Sequence, residues 1–443
     1  MKISILLPYK ENFSAKYAGA VSLFVNDTVS NSKYFKNTYI FGNMNYKKPF
    51  LKRYINVPLN KNILQSASKT YVKEFIKKEK IINSDIIEIH NRPNYIKYFD
   101  KIGKKIVLYF HNDPLSMSGS IKIKDRLYLL NNIDKIIFNS KWSQKRFFID
   151  IDNEQLLKQK TTVCYQSTSK TKVDFNKKKK IISFIGKLNS AKGYDLFGKA
   201  IIKILNKYKD WSATVYGDEP REKIIFNHKN LKINGYTTHT KILKYLEKVS
   251  ISVICSRWEE PFGRTSLEAA SRGSATIISN RGGLPETTNS AIILKKLTHN
   301  EIYKEINKLI LNNKKLRNYQ LANYSNFKYN HKYISNLIDN IRSEFKIKNF
   351  SITKKRLLKI MHITNFNERF NGRLHYNTGR RINNGFIRNQ HNVLSLSDRD
   401  IIHNNKSIKD IIGNRTLQTK ILETFKNFKP DFIVLGHADR VER

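Results

Sequence analysis

The stretch SRWEEPFGRTSLEAASRG, residues 256–273, sets two carboxylates, Glu260 and Glu268, on either side of a Pro-Phe-Gly turn with seven residues between them. Pro261 and Gly263 fix the entry to a helix, so the N–H groups of Arg264, Thr265 and Ser266 are expected free at its start. Free amides and the helix dipole attract anions, whereas carboxylates accept hydrogen bonds from hydroxyls and repel phosphate. Upstream, GKLNSAKGYDLF (186–197) offers the complementary charge: Lys187 and Lys192 in the loop after a strand, and Gly193 before a helix. That is the outline of an anion site. A lysine about 4 Å from a phosphate gains on the order of 4 kcal/mol at an effective dielectric of about 20, before desolvation. Two lysines beside two carboxylates suit a molecule that carries both a diphosphate and vicinal hydroxyls. Taken singly, each group also has a structural reading: Glu260 as a helix cap, Glu268 on a helix surface, the lysines as solvated charge.

These residues need a frame that brings strand ends and helix starts together. Short apolar runs bounded by polar turns alternate with helical patterns, the mark of a βαβ series feeding parallel sheets. Strands are expected at 2–8, 84–90, 105–111 and 134–140, with helices such as 68–80 and 121–132 between them. After the charged stretch DFNKKKK (174–180) a second series follows, at 181–187, 212–218, 231–236, 249–256 and 274–280. Two Rossmann-like lobes, 1–173 and 174–345, therefore face a cleft where their strand ends meet.

Composition sets the bounds. The chain has 443 residues, of which 40% are hydrophobic, enough for two or three domains with cores. Its 82 basic against 36 acidic residues give a formal net charge of +46. The excess runs from end to end with no arginine-rich stripe and no zinc-finger, helix-turn-helix or RNA-binding motif, so it reads as solvated lysines and not as specific nucleic-acid binding. The two cysteines, Cys164 and Cys255, stand alone in apolar runs, which fits a reducing compartment and a cytoplasmic location. MKISILLPYK lacks the apolar length of a leader, and no stretch of 18 apolar residues is present.

EEPFGRTSLEAA, preceded by GKLNSAKG and followed by GGLPE (282–286), resembles the signature of the GT-B fold retaining glycosyltransferases of family 4, the group 1 glycosyl transferases. The resemblance covers roughly residues 1–345 and is strongest in the second lobe. It implies transfer of a sugar from a nucleotide-sugar donor to a hydroxyl acceptor, with anomeric configuration retained and the diphosphate departing towards lysines and helix amides. By the same resemblance Lys187 and Lys192 bind the diphosphate, Glu268 the ribose hydroxyls and Glu260 the donor sugar, while Gly282 and Gly283 bring backbone amides to sugar or phosphate. His111, in YFHNDP, stands where the family has a histidine near the transferred sugar, and His90 belongs to the acceptor side or the cleft wall. FSAKYAGAVSLF (13–24) takes the place of the family's glycine-rich loop, with Gly19 matching one glycine and Ala18 replacing the other. Lys187 replaces a more usual arginine and so lacks its bidentate fork. No metal or other cofactor is required, and the Asp150/Asp152 and Asp398/Asp400 pairs fall away from the donor cleft.

After a basic link at 346–356, residues 357–443 begin a further βα series: a strand at 357–366, a helix at 380–390 and a strand at 429–439. SDIIEIH and PDFIVLGH share an Asp, an apolar strand and a terminal His, so the tail reads as an incomplete third Rossmann-like segment, a partial second N-terminal lobe. The expected partners are the nucleotide-sugar, a glycan or lipid-linked acceptor of envelope polysaccharide or lipopolysaccharide synthesis, and an anionic membrane surface touched peripherally. The competing readings are a basic nucleic-acid-binding protein and a noncatalytic scaffold of the same fold.

Overall fold

The structure is a computed structural model that describes residues 1–45, 48–59, 66–99, 102–348, 357–373 and 375–441. It falls into two compact units, Met1–Ile347 and Lys348–Arg443. Of the basic link expected at 346–356, residues 349–356 lie outside the described residues.

The first unit holds two parallel sheets. One comprises β1 (Ile3–Leu6), β2 (Thr38–Gly42), β3 (Tyr54–Asn56), β4 (Ile86–His90), β5 (Lys105–Phe110), β6 (Lys135–Phe138) and β7 (Thr161–Val163), in the order β3-β2-β1-β4-β5-β6-β7. The other comprises β8 (Lys179–Ile185), β9 (Ser212–Tyr216), β10 (Leu231–Ile233), β11 (Val249–Ile254), β12 (Ala275–Ile278) and β13 (Ile292–Ile293), in the order β10-β9-β8-β11-β12-β13. Both orders reverse direction after the first strand, which opens a crevice at the carboxyl ends of β1/β4 and of β8/β11. The central strands are covered on both faces by helices, which is why IIEIH of β4 is buried at all five positions. One apolar cluster on a face of the first sheet includes Phe262 and Leu267 of the second lobe, so the lobes share part of a core.

Chain order groups the helix His331–Lys348 with the second lobe, yet its hydrogen bonds go to the first. Asp339 accepts from Ser32 Oγ at 2.7 Å and from the Lys33 N–H at 2.8 Å, and Ser335 Oγ donates to the Thr28 carbonyl at 2.8 Å. Arg342 places its fork on Glu88, Nε and Nη2 each 2.7 Å from a carboxylate oxygen, and reaches Asp339 at 3.0 Å. Glu88 and Arg342 are 1% and 2% exposed, so neither charge has water to fall back on. The flanking charges of Glu88 and Asp339 outweigh burial and push the guanidinium pKa of Arg342 up.

The second unit has one sheet of β14 (Lys359–Thr364), β15 (Asn392–Leu396) and β16 (Phe432–Gly436), ordered β15-β14-β16 and parallel throughout. Helices Thr378–Arg388, Asp398–Asn404 and Asn414–Phe428 connect and flank the strands. Its core is small, centred on Met361, Ile363, Leu396, Ile401, Leu417 and Ile421. At the start of the sheet, the Lys359 N–H donates to Asp431 Oδ2 at 2.9 Å and the Asp431 N–H to the Lys359 carbonyl at 2.8 Å. The first lobe makes the same reciprocal pair between Lys2 and Asp85, at 2.7 and 2.9 Å. The join of β14 to β16 thus repeats that of β1 to β4.

Removing one partner of a buried ion pair leaves the other charge stranded. Arg342→Met should cost about 3–5 kcal/mol, and Glu88→Leu/Arg342→Met should recover part of that loss, since buried Asp339 still lacks its guanidinium. Denaturant unfolding followed by tryptophan fluorescence checks this, because Trp142, Trp211 and Trp258 all lie in the first unit. A single variant as stable as the double variant would contradict it.

Candidate active site

The carboxyl ends of β8 and β11 carry the two motif loops, and backbone contacts lock them together. Ala191 O accepts the N–H groups of Arg257 at 2.9 Å and Trp258 at 3.0 Å. Gly193, at φ +75°, lies so close to Cys255 that an added Cβ would sit 2.0 Å from the Cys255 carbonyl oxygen. No other residue type fits there. Arg257 further clamps Asp195 with two bonds of 2.6 and 2.7 Å, drawing the start of helix Tyr194–Lys207 onto the same loop.

Lys192 ends the short turn Ser190–Lys192, which Asn189 caps by accepting the Lys192 N–H at 3.0 Å. Its ammonium group contacts the Glu260 carboxylate directly. Both side chains line a cavity of about 250 Å³, together with Gly263, Arg264 and Thr265 at the start of helix Arg264–Ser271. From the first lobe, Ala20, His111 and Gln166 close the cavity. Of the three amides expected free, Ser266 N–H is used within the turn, on Gly263 O at 3.1 Å. Those of Arg264 and Thr265 have no acceptor among the described residues and remain available to an anion.

Several expected site residues lie outside this cavity lining, each for a physical reason. Glu268 sits one turn behind Arg264. Its Oε1 accepts from Arg264 Nε and pairs with His239 Nε2, both at 2.7 Å. Burial pushes its pKa up, but the His239 hydrogen bond and the Arg264 charge win, and the carboxyl is held below its ordinary value. Arg264 in turn reaches Asp27 of the first lobe at 2.9 Å, so Glu268 orients a cation that bridges the lobes. Lys187 is exposed one residue beyond Gly186, which does line the cavity. The diglycine amides are already used: Gly282 N–H donates to Glu259 Oε2 and Gly283 N–H to Glu260 O, each at 2.6 Å. A Cβ on Gly282 would meet the Glu260 carbonyl oxygen at 2.1 Å and one on Gly283 the Pro261 carbonyl oxygen at 2.5 Å, so the two glycines seat the glutamate loop. Gly19 begins helix Ala20–Ser30, where Glu11 Oε1 accepts from the Ser22 N–H at 3.2 Å and occupies that helix start with the chain's own carboxylate.

His111 and His90 form a buried pair, with His111 Nε2 3.0 Å from His90 Nδ1. On the other side, Gln166 Nε2 lies 3.2 Å from His111 Nδ1. With the Gln166 amide donating to Nδ1, His111 Nε2–H donates to His90, and both ring nitrogens of His111 are engaged within the protein. Desolvation pushes His111 down to about 3 and lowers His90 as well, with the neighbouring His111 adding to that effect. Burial thus favours the neutral form of both rings, and His111 meets the cavity as part of its wall.

Motif reading had not singled out Gln166, Asp27, His239 or Glu286 as site residues. Glu286 accepts from the Lys141 and Trp142 N–H groups at 2.7 and 2.8 Å, capping helix Lys141–Phe147 of the opposite lobe. Among the described residues no three His, Cys, Asp or Glu side chains gather as a metal site.

The two parallel Rossmann-like sheets of these orders, with Lys192 and Glu260 converging at the carboxyl ends of β8 and β11 in the second, form the GT-B fold. Residues 166–325 match the family model for glycosyl transferases group 1, so the second lobe is a group 1 domain and the protein is a glycosyltransferase. The putative glycosyltransferase YtcC of Bacillus subtilis is 22% identical over 335 residues, 66% of this chain and 78% of that protein. The lipopolysaccharide core biosynthesis mannosyltransferase LpsB of Rhizobium meliloti is 25% identical over 36% of this chain and 49% of its own length. In three dimensions, Anabaena HepE in complex with UDP-glucose superposes with a TM-score of 0.61 at 15% identity, over 78% of this chain and all of that one.

The neutral histidines give the fold a directional pH dependence. Because the folded state holds His111 at about 3 against an ordinary 6.5, the unfolded chain takes up the proton first as pH falls. The ring's contribution is fully present above 6.5 and is lost progressively towards 3. Urea unfolding at pH values from about 7 to about 4 should show the parent losing stability faster than His111→Gln. Equal slopes would remove His111 as the cause.

Proposed function

We propose that the first unit transfers a sugar from a nucleotide-sugar, with retention of anomeric configuration, to a hydroxyl of a glycan or lipid-linked acceptor in bacterial envelope polysaccharide or lipopolysaccharide assembly. The observation that carries this reading is the single cavity in which Lys192, Glu260 and two free amides of helix Arg264–Ser271 face His111 of the other lobe. The ammonium group and the amides form the anion-binding side, suited to a departing diphosphate whose charge grows during the reaction. Glu260, in contact with Lys192, meets the hydroxyls of the sugar next to that diphosphate. Attack by the acceptor from the face the diphosphate leaves retains configuration without a covalent intermediate. His111 shapes the sugar pocket from the opposite lobe. Glu268 acts on the donor through Arg264, and a direct bond to ribose requires one of its present partners to give way.

The envelope pathway is supported by the likeness to LpsB, and the donor class by the likeness to HepE, which binds UDP-glucose. Among the described residues no helix is long and apolar enough to cross a membrane, and the basic surface suits peripheral contact with anionic lipid at the cytoplasmic face.

Lys192→Met should lower turnover on the order of a hundredfold, the scale of losing one group that stabilises developing negative charge. Glu260→Gln should lower it comparably while nucleoside diphosphate still binds. Release of nucleoside diphosphate across a panel of nucleotide-sugars measures both, and NMR of the product's anomeric proton reads the stereochemistry. Unchanged turnover in either variant, or an inverted product, would sink this reading.

A further inference from the structure

The lysine bias that covers most of the chain breaks in its second unit. Residues 1–348 hold 53 lysines and 11 arginines, whereas residues 357–441 hold 6 lysines and 8 arginines. Generic surface lysine therefore does not account for the charge here. Arginine presents a planar fork of donors that matches phosphate oxygens two at a time, which lysine cannot do.

Three of these arginines, Arg369, Arg399 and Arg440, line one open crevice of about 720 Å³ with Lys406. Each arginine comes from the segment after a different strand: Arg369 after β14, Arg399 after β15 and Arg440 after β16. The crevice thus lies outside the carboxyl ends of a parallel sheet at the place where the chain crosses β14, the position at which such sheets bind ligands. Asp439 is the one carboxylate among the residues lining it. It accepts from Arg399 at 3.1 Å and lies 3.8 Å from Arg440, and Arg399 holds its carboxyl below the ordinary value. Positive charge therefore exceeds negative in the crevice wall. Beside the charges stand Ile402, Ile411 and Ile412, the last two 77% and 68% exposed.

We infer that this crevice of the second unit binds a phosphate group carried on an apolar body, at a site separate from the sugar-transfer cavity. The guanidinium groups take the phosphate oxygens, and the isoleucines cover the attached carbon skeleton. A lipid headgroup and a soluble phosphate ester share that chemistry.

The test uses the full chain with two probes: inorganic pyrophosphate followed by calorimetry, and phosphatidylcholine vesicles with or without phosphatidic acid followed by co-sedimentation. Arg369→Ser/Arg440→Ser should weaken binding of the responding probe on the order of tenfold, the scale of losing charge-assisted hydrogen bonds. Asp439→Asn should tighten it, a gain that misfolding cannot imitate. Lys192→Met in the first unit serves as the control for pyrophosphate held at the transfer cavity, and it should leave the second-unit site unchanged. Response to phosphatidic acid vesicles alone assigns a lipid headgroup, and response to pyrophosphate assigns a soluble phosphate. Binding of neither probe, or affinities that both second-unit variants leave unmoved, would overturn the inference whatever the fate of the transferase reading.

Discussion

One carbonyl oxygen, that of Ala191, holds two backbone amides from the loop after β11 and so fixes the loop after β8 against it. The site depends on this junction. Lys192 and Glu260 belong to different βα units, and their contact follows from the backbones being tied one residue away from the lysine. Gly193 permits the approach, since any side chain there would strike Cys255. Gly282 and Gly283 repeat the device on the far side of the glutamate loop, pressed against the backbone of Glu260 and Pro261. A flexible lysine and a flexible glutamate thereby acquire a defined separation from rigid main chain. Preorganised charge of this kind acts on a reaction without reorganising during it.

A second layer spans the lobes. Asp27, Arg264, Glu268 and His239 form a continuous hydrogen-bonded chain, and Glu286 crosses to the amides of helix Lys141–Phe147. Gln166 stands between Arg264, at 3.5 Å, and the neutral His111. A shift in how the lobes meet is therefore felt at the signature helix and at the histidine wall together.

Much of the frame was legible because runs rich in isoleucine, valine and aromatics, such as KIVLYF and IIEIH, announce strands buried on both faces. β15, with the sequence NVLSL and mostly part-exposed positions, has no such run and went unread. Glu260, Lys192, Arg264, Thr265 and His111 were legible because motif spacing places them at strand ends and at a helix start. Asp27, Gln166 and His239 carry no local signature, since tertiary folding alone brings them to the site. The diglycine was expected from the resemblance to bring backbone amides to sugar or phosphate, but sequence could not say which backbone it approaches. It meets the chain's own glutamate loop. The same limit hid the partners of Glu268: spacing puts Arg264 one turn away on its helix, but nothing local identifies His239.

The return of helix His331–Lys348 to the first lobe has a consequence for how the protein is made. Glu88 leaves the ribosome more than two hundred and fifty residues ahead of Arg342, its partner at 2.7 Å. Chains emerge at roughly 5–20 residues per second, so for about 13–50 seconds the first sheet carries an uncompensated carboxylate in its central strand. Glu88 gains its buried partner only once this helix docks and supplies the guanidinium. Synthesis order thus places the whole second-lobe sequence ahead of the helix that completes the first lobe, and a chain stopped before residue 342 lacks the guanidinium that pairs with Glu88.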